Sequence, residues 1–259
     1  MKSAPWQVWG ARAMVVPALF LLAACGATVD NVQSPARLLY LEGQHLEDQG
    51  LFTEAAEKFE KLVSQHPGTR LGGHGYLRLA ELYSRQQEWI KAETNYRMFL
   101  AANSGSPLSS YVLYRLLRVN HEQSYTGLFF PEREIDRDME PNRKIMLEYR
   151  RFYLLHPQSL YLPEAVTIFR AAEDTLARHE VIVADFYFRR RLYNAAASRY
   201  LYALRNHADH VDVRYALGRL VTAYRADQQL DLADEMQRVY DQRFGAATPS
   251  APGGSPVAP

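Results

Sequence analysis

The chain has 259 residues, with 30 Lys and Arg against 29 Asp and Glu and 12% aromatic side chains. So even a charge balance argues against nucleic acid as a partner, because holding a phosphate backbone takes a basic excess. A single cysteine allows no internal disulfide, so the fold must be held by its core.

That cysteine, Cys25, ends Leu22-Ala23-Ala24-Cys25 and follows an apolar run from Met14 to Ala24, with Lys2 and Arg12 before it. A positive start, a short apolar stretch and small residues before the cut make a bacterial lipoprotein signal over residues 1–24. The run is about eleven residues and holds Pro17, too short for a helix across a bilayer of ~30 Å. Cleavage before Cys25 would leave a lipidated start, with acyl and diacylglycerol chains on that residue and residues 25–35 as a linker. In a Gram-negative cell Asp after the lipidated cysteine retains such proteins in the inner membrane. Gly26 here favours the outer membrane, on its periplasmic face. No cofactor beyond that lipid is expected.

From residue 36 a helical repeat takes over. The first unit places Leu39, Gly43, Leu46, Gly50, Phe52, Ala55, Phe59 and Leu62, and the second Tyr76, Leu79, Ala80, Tyr83, Trp89, Ala92, Tyr96 and Phe99. A later unit has Val183, Ala184, Tyr187, Tyr193, Ala196, Tyr200 and Ala203, and the last Leu217, Leu220, Val221, Tyr224, Leu230, Ala233 and Tyr240. Small residues at Gly43, Ala80 and Ala184 let the first helix of a pair approach the second. Ala55, Ala92, Ala196 and Ala233 answer from the second helix, while Phe59, Tyr96 and Tyr200 fill the groove toward the next unit. The pattern predicts helices near 36–49, 52–66, 70–86, 89–103, 107–124, 139–156, 160–189, 192–207, 210–226 and 229–244, with no convincing strand. The fold class expected is all-α, a right-handed superhelical solenoid of about five tetratricopeptide repeats over 36–244. Its N-terminal half is 36–106 and its C-terminal half 107–244. The Pro-, Gly- and Ala-rich stretch 245–259 reads as a disordered tail.

The gap between Ala92 and Ala196 exceeds two repeats, so the third unit carries an insertion, 124–142 (SYTGLFFPEREIDRDMEPN). Leu128-Phe129-Phe130 beside Pro131 reads either as a loop folded back on the solenoid or as an aromatic knob for a partner. Glu132, Glu134, Asp136 and Asp138, interrupted by Arg133 and Arg137, read as a solvated acidic loop ahead of a weak cation site.

Catalytic signatures are lacking: there is no phosphate-binding glycine loop, cysteine cluster or nucleophile elbow. His207 and His210 have i, i+3 spacing but fall at a repeat junction, where turn histidines are expected and no metal. The chain is not expected to be an enzyme.

Several strings then resemble one family. They are Tyr111-Val112-Leu113-Tyr114, Gly127-Leu128-Phe129 before Asp136-Arg137-Asp138, and His156-Pro157-Gln158-Ser159-Leu160-Tyr161. The most specific is Val183-Ala184-Asp185-Phe186-Tyr187 with Arg190, Tyr193, Ala195-Ala196 and Arg199. Together with the lipidation signal they resemble the outer-membrane protein assembly lipoproteins of the BamD (ComL) family, over roughly residues 20 to 244. Departures are Arg191 where the family has Gly, His66-Pro67 and His156-Pro157 for Tyr-Pro, and Asn206-His207-Ala208 where a Pro is missing. Without Gly, the turn at Arg191 must manage a positive φ with a less suitable residue.

The resemblance implies a non-catalytic scaffold of the β-barrel assembly machinery. Its C-terminal repeats would bind the periplasmic part of a BamA-type barrel insertase, alongside other assembly lipoproteins. Its N-terminal repeats would receive the C-terminal strand signal of unfolded outer-membrane proteins. For the insertase the candidates are Tyr187, Arg189, Arg190 and Tyr193, with Arg190 meeting a carboxylate. For an extended, aromatic-rich client strand they are Tyr40, Gln44, Asp48, His66, Leu77, Glu81 and Arg85. Two other readings share the anchor and the fold: a lipoprotein that organises cell-wall synthesis or division proteins, and an accessory subunit of an enzyme.

Overall fold

The computed structural model describes residues 34–125 and 138–245. The lipidation signal with Cys25 and Gly26, most of the insertion, including Leu128-Phe129-Phe130, and the tail after Gly245 lie outside the described residues. Ten helices follow one another: α1 (Pro35–Asp48), α2 (Phe52–Gln65), α3 (Arg70–Arg85), α4 (Trp89–Ala102), α5 (Ser109–Tyr125), α6 (Glu140–Leu155), α7 (Leu162–Arg189), α8 (Tyr193–Asn206), α9 (Val213–Ala226) and α10 (Leu230–Phe244). Among the described residues there is no strand. The helices form five antiparallel pairs, and each packs mainly on its neighbours in sequence, which makes a tetratricopeptide solenoid. First helices of successive pairs also touch directly, α1 on α3 and α5 on α7. That row is therefore the tighter, inner side of the curve, and α2, α4, α6, α8 and α10 form the outer side.

The predicted small residues sit where the helices cross. Ala55, Ala80, Ala92, Ala184, Ala196 and Ala233 are fully buried, as are Phe59, Tyr96 and Tyr200. At Gly43 even a Cβ would lie 2.7 Å from the Phe59 ring, so α1 can approach α2 only without a side chain there. The last pair differs. Val221 replaces the small residue and Gln237 the large one, while Tyr240 packs one turn later over Gly218. Gln237 instead hydrogen-bonds Arg225 and Asp241 at 3.2 and 2.9 Å. A polar side chain thus stands where earlier pairs present a ring to the following repeat, as a terminal repeat requires.

One turn geometry recurs inside four pairs. Gly50, Gln87, Arg191 and Gln228 all take positive φ, 77°, 61°, 61° and 62°. Around each, two backbone bonds close a Schellman motif: Gly50 N–H to Glu47 O and Leu51 N–H to Leu46 O at 3.0 and 2.9 Å, and likewise Arg191 to Phe188 and Leu192 to Tyr187, both at 3.0 Å. The conformation survives without glycine, Arg191 included, because the two helices it joins over-determine it. Side-chain caps open other helices: Ser34 accepts from Arg37 N–H, Thr69 from Gly72 N–H and Asp212 from Tyr215 N–H. The Asp212 cap explains why α9 starts at Val213 and not at the predicted 210.

The apolar core has two parts. One extends from Ala36 to Ala172, the other from Ala184 to Tyr240. α7, 28 residues long, contributes to both. Outside the apolar core, Glu93 and Glu148 are buried and tie α4 to α6 through Arg97 (3.0 and 2.6 Å) and Lys144 (2.7 Å to Glu93).

His207 and His210 share no ligand geometry. His210 is held by α7, with Nδ1 2.6 Å from Asp174 and Nε2 3.1 Å from Glu173. Its pKa is raised, chiefly by the Asp174 hydrogen bond, whereas burial lowers that of His207. Among the described residues no group of three or more His, Cys, Asp or Glu could hold a metal ion.

Two outcomes follow for stability. Gly50 has open space around its Cβ position, so Gly50→Ala isolates the backbone penalty of positive φ and should cost about 1 kcal/mol, whereas Gln228→Gly should gain up to ~1 kcal/mol. Urea midpoints must move in opposite directions. The contribution of His210 is present below its unfolded pKa of about 6.5 and lost as pH rises through the higher folded value. Asp174, Glu173, Asp209, Glu180 and His207 all face this junction. His207 titrates with the opposite sign, so the difference between wild type and His210→Gln separates the two. That stability difference should be largest just below pH ~6.5 and fade as pH rises through the higher folded pKa of His210.

Candidate docking surfaces

The first candidate surface lies on the inner side of the first three pairs. Side chains from α1, α3 and α5 form a polar ladder across it. Arg78 pairs with Glu47 at 2.8 Å and with Glu81 at 3.4 Å. Glu81 accepts from the Tyr111 hydroxyl at 2.9 Å, and Tyr111 accepts from Arg115 at 3.0 Å. Arg85 reaches Glu47 at 4.0 Å and lies over the Phe52 ring. Burial raises the Tyr111 pKa, and the Glu81 carboxylate adds to it, so the phenol remains a donor at neutral pH.

Of the predicted client residues, Glu81 and Arg85 belong to this ladder. Tyr40 is half-buried beside it, its ring edge-on to Phe59 at 5.7 Å, with burial raising its pKa against the lowering charge of Arg78. Gln44 is half-buried and Asp48, the last residue of α1, is exposed. Leu77 needs correction, and His66 stands apart from the ladder. Leu77 is 7% exposed and belongs to the core, because the inner-facing arc of α3 passes through Arg78, Glu81 and Arg85 instead. His66 ends α2, where its carbonyl accepts from the Thr69 hydroxyl at 2.9 Å and backbone N–H at 3.2 Å. It organises the turn into α3 and does not join the ladder.

Sequence reading also missed Arg78, Tyr111 and Arg115. Arg78 reaches Glu47, and Tyr111 reaches Glu81, across about thirty residues, and no local spacing marks such pairs; Arg115 joins through Tyr111, one turn before it on α5. The available signal was the recurrence of charged or phenolic residues on successive first helices.

The second candidate surface is the α7–α8 turn. Arg189 ends α7, Arg190 caps it and Arg191 takes the positive-φ position; all three are exposed. The Arg190 guanidinium lies over the Phe186 ring at 4.6 Å. Tyr187 and Tyr193 are half-buried, with Tyr193 edge-on to Phe188 at 5.3 Å. Among the described residues none of the three arginines has an acidic partner within ion-pair distance. The structure thus brings all four predicted residues to one turn, as a cationic edge mounted on aromatic rings.

Behind that edge sits a network the sequence did not announce. Asp185 accepts from the Tyr200 hydroxyl and, at 2.9 Å, from that of Tyr215, with Arg219 3.5 Å away. Arg219 stacks on Phe188 at 3.8 Å. Burial and the Asp185 hydrogen bond push the Tyr215 pKa up to about 12. α7, α8 and α9 are locked together here, so the turn is presented from a rigid support.

No described helix is long and apolar enough to cross a membrane. Comparison with known proteins gives a consistent picture. A family model described as outer membrane lipoprotein, YfiO, matches residues 32–239. The outer membrane protein assembly factor BamD of Vibrio cholerae is 28% identical over 224 residues, covering 85% of this chain and 92% of that protein. Its counterpart from Neisseria gonorrhoeae is 27% identical over 208 residues, covering 80% and 78%. The crystal structure of MamA protein superposes over 85% of this chain and 98% of that one with a TM-score of 0.36 and 14% identity, too loosely to carry weight.

Proposed function

The chain belongs to the YfiO outer membrane lipoprotein family, and from that premise we propose that it is a scaffold of the β-barrel assembly machinery, anchored by lipid on Cys25 to the periplasmic face of the outer membrane. It aids the folding and insertion of outer-membrane proteins and makes or breaks no bond itself. The observation that carries the reading is the extent of the family match, from before the first helix into the last. The names of the relatives supply the assembly role. They lend no support to a cell-wall scaffold.

Each surface then has a task. The α7–α8 edge, with Tyr187, Arg189, Arg190 and Tyr193, binds an acidic patch on the barrel insertase. Three unpaired guanidiniums on a rigid turn favour a carboxylate partner, and stacking on Phe186 restrains Arg190 before contact. The inner side of the first three pairs receives the client strand. Its alternation of rings with paired charges suits an extended segment that is aromatic on one face. Other assembly lipoproteins would share the remaining surface.

Detergent extraction and affinity capture of the lipoprotein, followed by mass spectrometry, should recover a barrel insertase. Arg190→Glu should deplete the insertase at least tenfold with helix content unchanged, since truncating a desolvated Arg–carboxylate contact costs ~2–5 kcal/mol. Undiminished capture would remove the turn from the interface. Cys25→Ser should shift the protein from the membrane pellet to the soluble fraction.

A further inference from the structure

The outer side of the solenoid is uneven in charge. Its two ends are acidic: α2 exposes Glu54, Glu57 and Glu60, and α10 exposes Asp231, Asp234 and Glu235. Between them α4 and α8 expose no acidic side chain, and α6 exposes only Glu140, in its first turn.

α6 carries the unusual stripe. At ~100° per residue, Arg143, Leu147, Arg150, Arg151 and Leu154 share one arc of about 100°. All five are exposed, Leu147 by 68% and Leu154 by 72%. Leu155 borders the arc at 58%, and Leu160, in the turn that follows, is 95% exposed. Glu140 stands 3.8 Å from Arg143. Among the described residues neither Arg150 nor Arg151 has an acidic partner within ion-pair distance. The opposite face of α6 buries Ile145 and Phe152 and reaches α4 through Glu148. The fold is therefore closed without the stripe. Single exposed leucines need no explanation, but leucines gathered on one face between unpaired arginines do.

The order of residues selects the occupant. A helix that lies in an apolar groove of another protein presents anchors at i, i+3, i+4 and i+7. Counted from Leu147, i+7 is Leu154, but i+3 and i+4 are Arg150 and Arg151. A protein groove would have to bury both guanidiniums. A bilayer surface accepts the same order, since leucines enter the boundary of headgroups and acyl chains while arginines extend to the phosphates. Reach allows it too. Pro35, the first residue of α1, lies ten residues after Cys25, a span of at most ~36 Å, or about three helix diameters.

We infer that the outward face of α6, with Leu147, Arg150, Arg151, Leu154 and Leu155, docks on an anionic phospholipid surface. The inference rests on the reading of the chain as anchored by lipid at Cys25, and it gives the anchored molecule an orientation. The outer side lies on the bilayer, and the inner ladder of α1, α3 and α5 faces away from it. The acidic ends, α2 and α10, are repelled by the same surface, so contact centres on the third pair.

The test uses the acylated lipoprotein reconstituted into vesicles. Cys25 is the single cysteine and its thiol is taken up by the lipid, so Leu154→Cys provides one site for an environment-sensitive dye. Leu147→Cys is a second position on the stripe, and Glu57→Cys on α2 is the reference. Vesicles contain phosphatidylethanolamine with phosphatidylglycerol, or phosphatidylcholine alone, each with brominated acyl chains as quencher. In the anionic vesicles dye on either stripe position should shift to the blue and be quenched, while dye on α2 stays in water. Quenching should fall by about threefold or more in phosphatidylcholine, at high salt, and in the double variant Arg150→Gln with Arg151→Gln at unchanged helix content. Dye that remains in water at both stripe positions overturns the docking. So does quenching that is equal in the two lipids and survives the double variant. A blue shift without quenching, or one that appears in detergent as protein concentration rises, assigns the face to a protein or a second copy and also overturns it. Failure of the lipoprotein to float with vesicles overturns anchor and docking together, and leaves insertase capture unaffected.

Discussion

The closeness of paired helices is the constraint on which the rest of the molecule depends. Two helices packed through alanine or glycine can approach to the lower end of the usual 8–10 Å separation, where one large ring fills what remains. Gly43 and Phe59 show the limit, with no space for a single carbon. The same fit recurs along the chain at fully buried alanines facing Phe59, Tyr96 and Tyr200. Where pairs close in this way, each unit lays its first helix beside that of the next, and α1 touches α3 as α5 touches α7. The ladder of charges runs across that inner row.

The periodicity of small residues was legible because burial at a helix crossing admits so few side chains. Helix limits followed closely from it, and the largest drift, at the start of α9, is set by the Asp212 cap. The turns were less legible. Only Gly50 carries the residue that a positive φ prefers, yet Gln87, Arg191 and Gln228 adopt the same geometry. There the packing of two helices outweighs a local preference of about 1–2 kcal/mol per residue. The site was legible in part. The turn with Arg190 lies within a few residues of sequence, so its members stay together in any fold that keeps the helices. The inner surface draws one or two residues from each of three helices. Whether Leu77 or Arg78 faces inward depends on a rotation of α3 of about 100°, one residue's worth, which the spacing of apolar residues left open.

Charge is distributed differently over the two sides of the solenoid. On the outer side Glu93 and Glu148 are buried and paired with Arg97 and Lys144, which braces the second and third units. On the inner side compensation runs from Glu47 through Arg78 and Glu81 to Tyr111 and then stops, for Arg115 ends the series without a carboxylate. The α7–α8 turn likewise leaves three guanidiniums without acidic partners. Uncompensated positive charge therefore collects at these two places, besides the outward stripe of α6, in a chain whose overall balance is close to neutral. Ring contacts hold Arg115 and Arg190 in place, but pairing with carboxylates of this chain does not account for where they sit.

α7 makes the two places mechanically distinct and still coupled. At 28 residues it spans about 42 Å, longer than any other described helix, and it enters both apolar cores. Its first half closes the unit that carries the inner ladder, through Ala165, Ile168 and Ala172. Its last turns carry Asp185, Phe188 and the cationic edge. Between them the two apolar cores are separate, and α7 is the continuous helix that enters both. His210, clasped by Glu173 and Asp174, grips α7 in that middle region from the α8–α9 turn. The hydrogen bonds of one continuous helix thus join the cationic edge to the unit that completes the inner surface, and His210 braces that helix between the two cores.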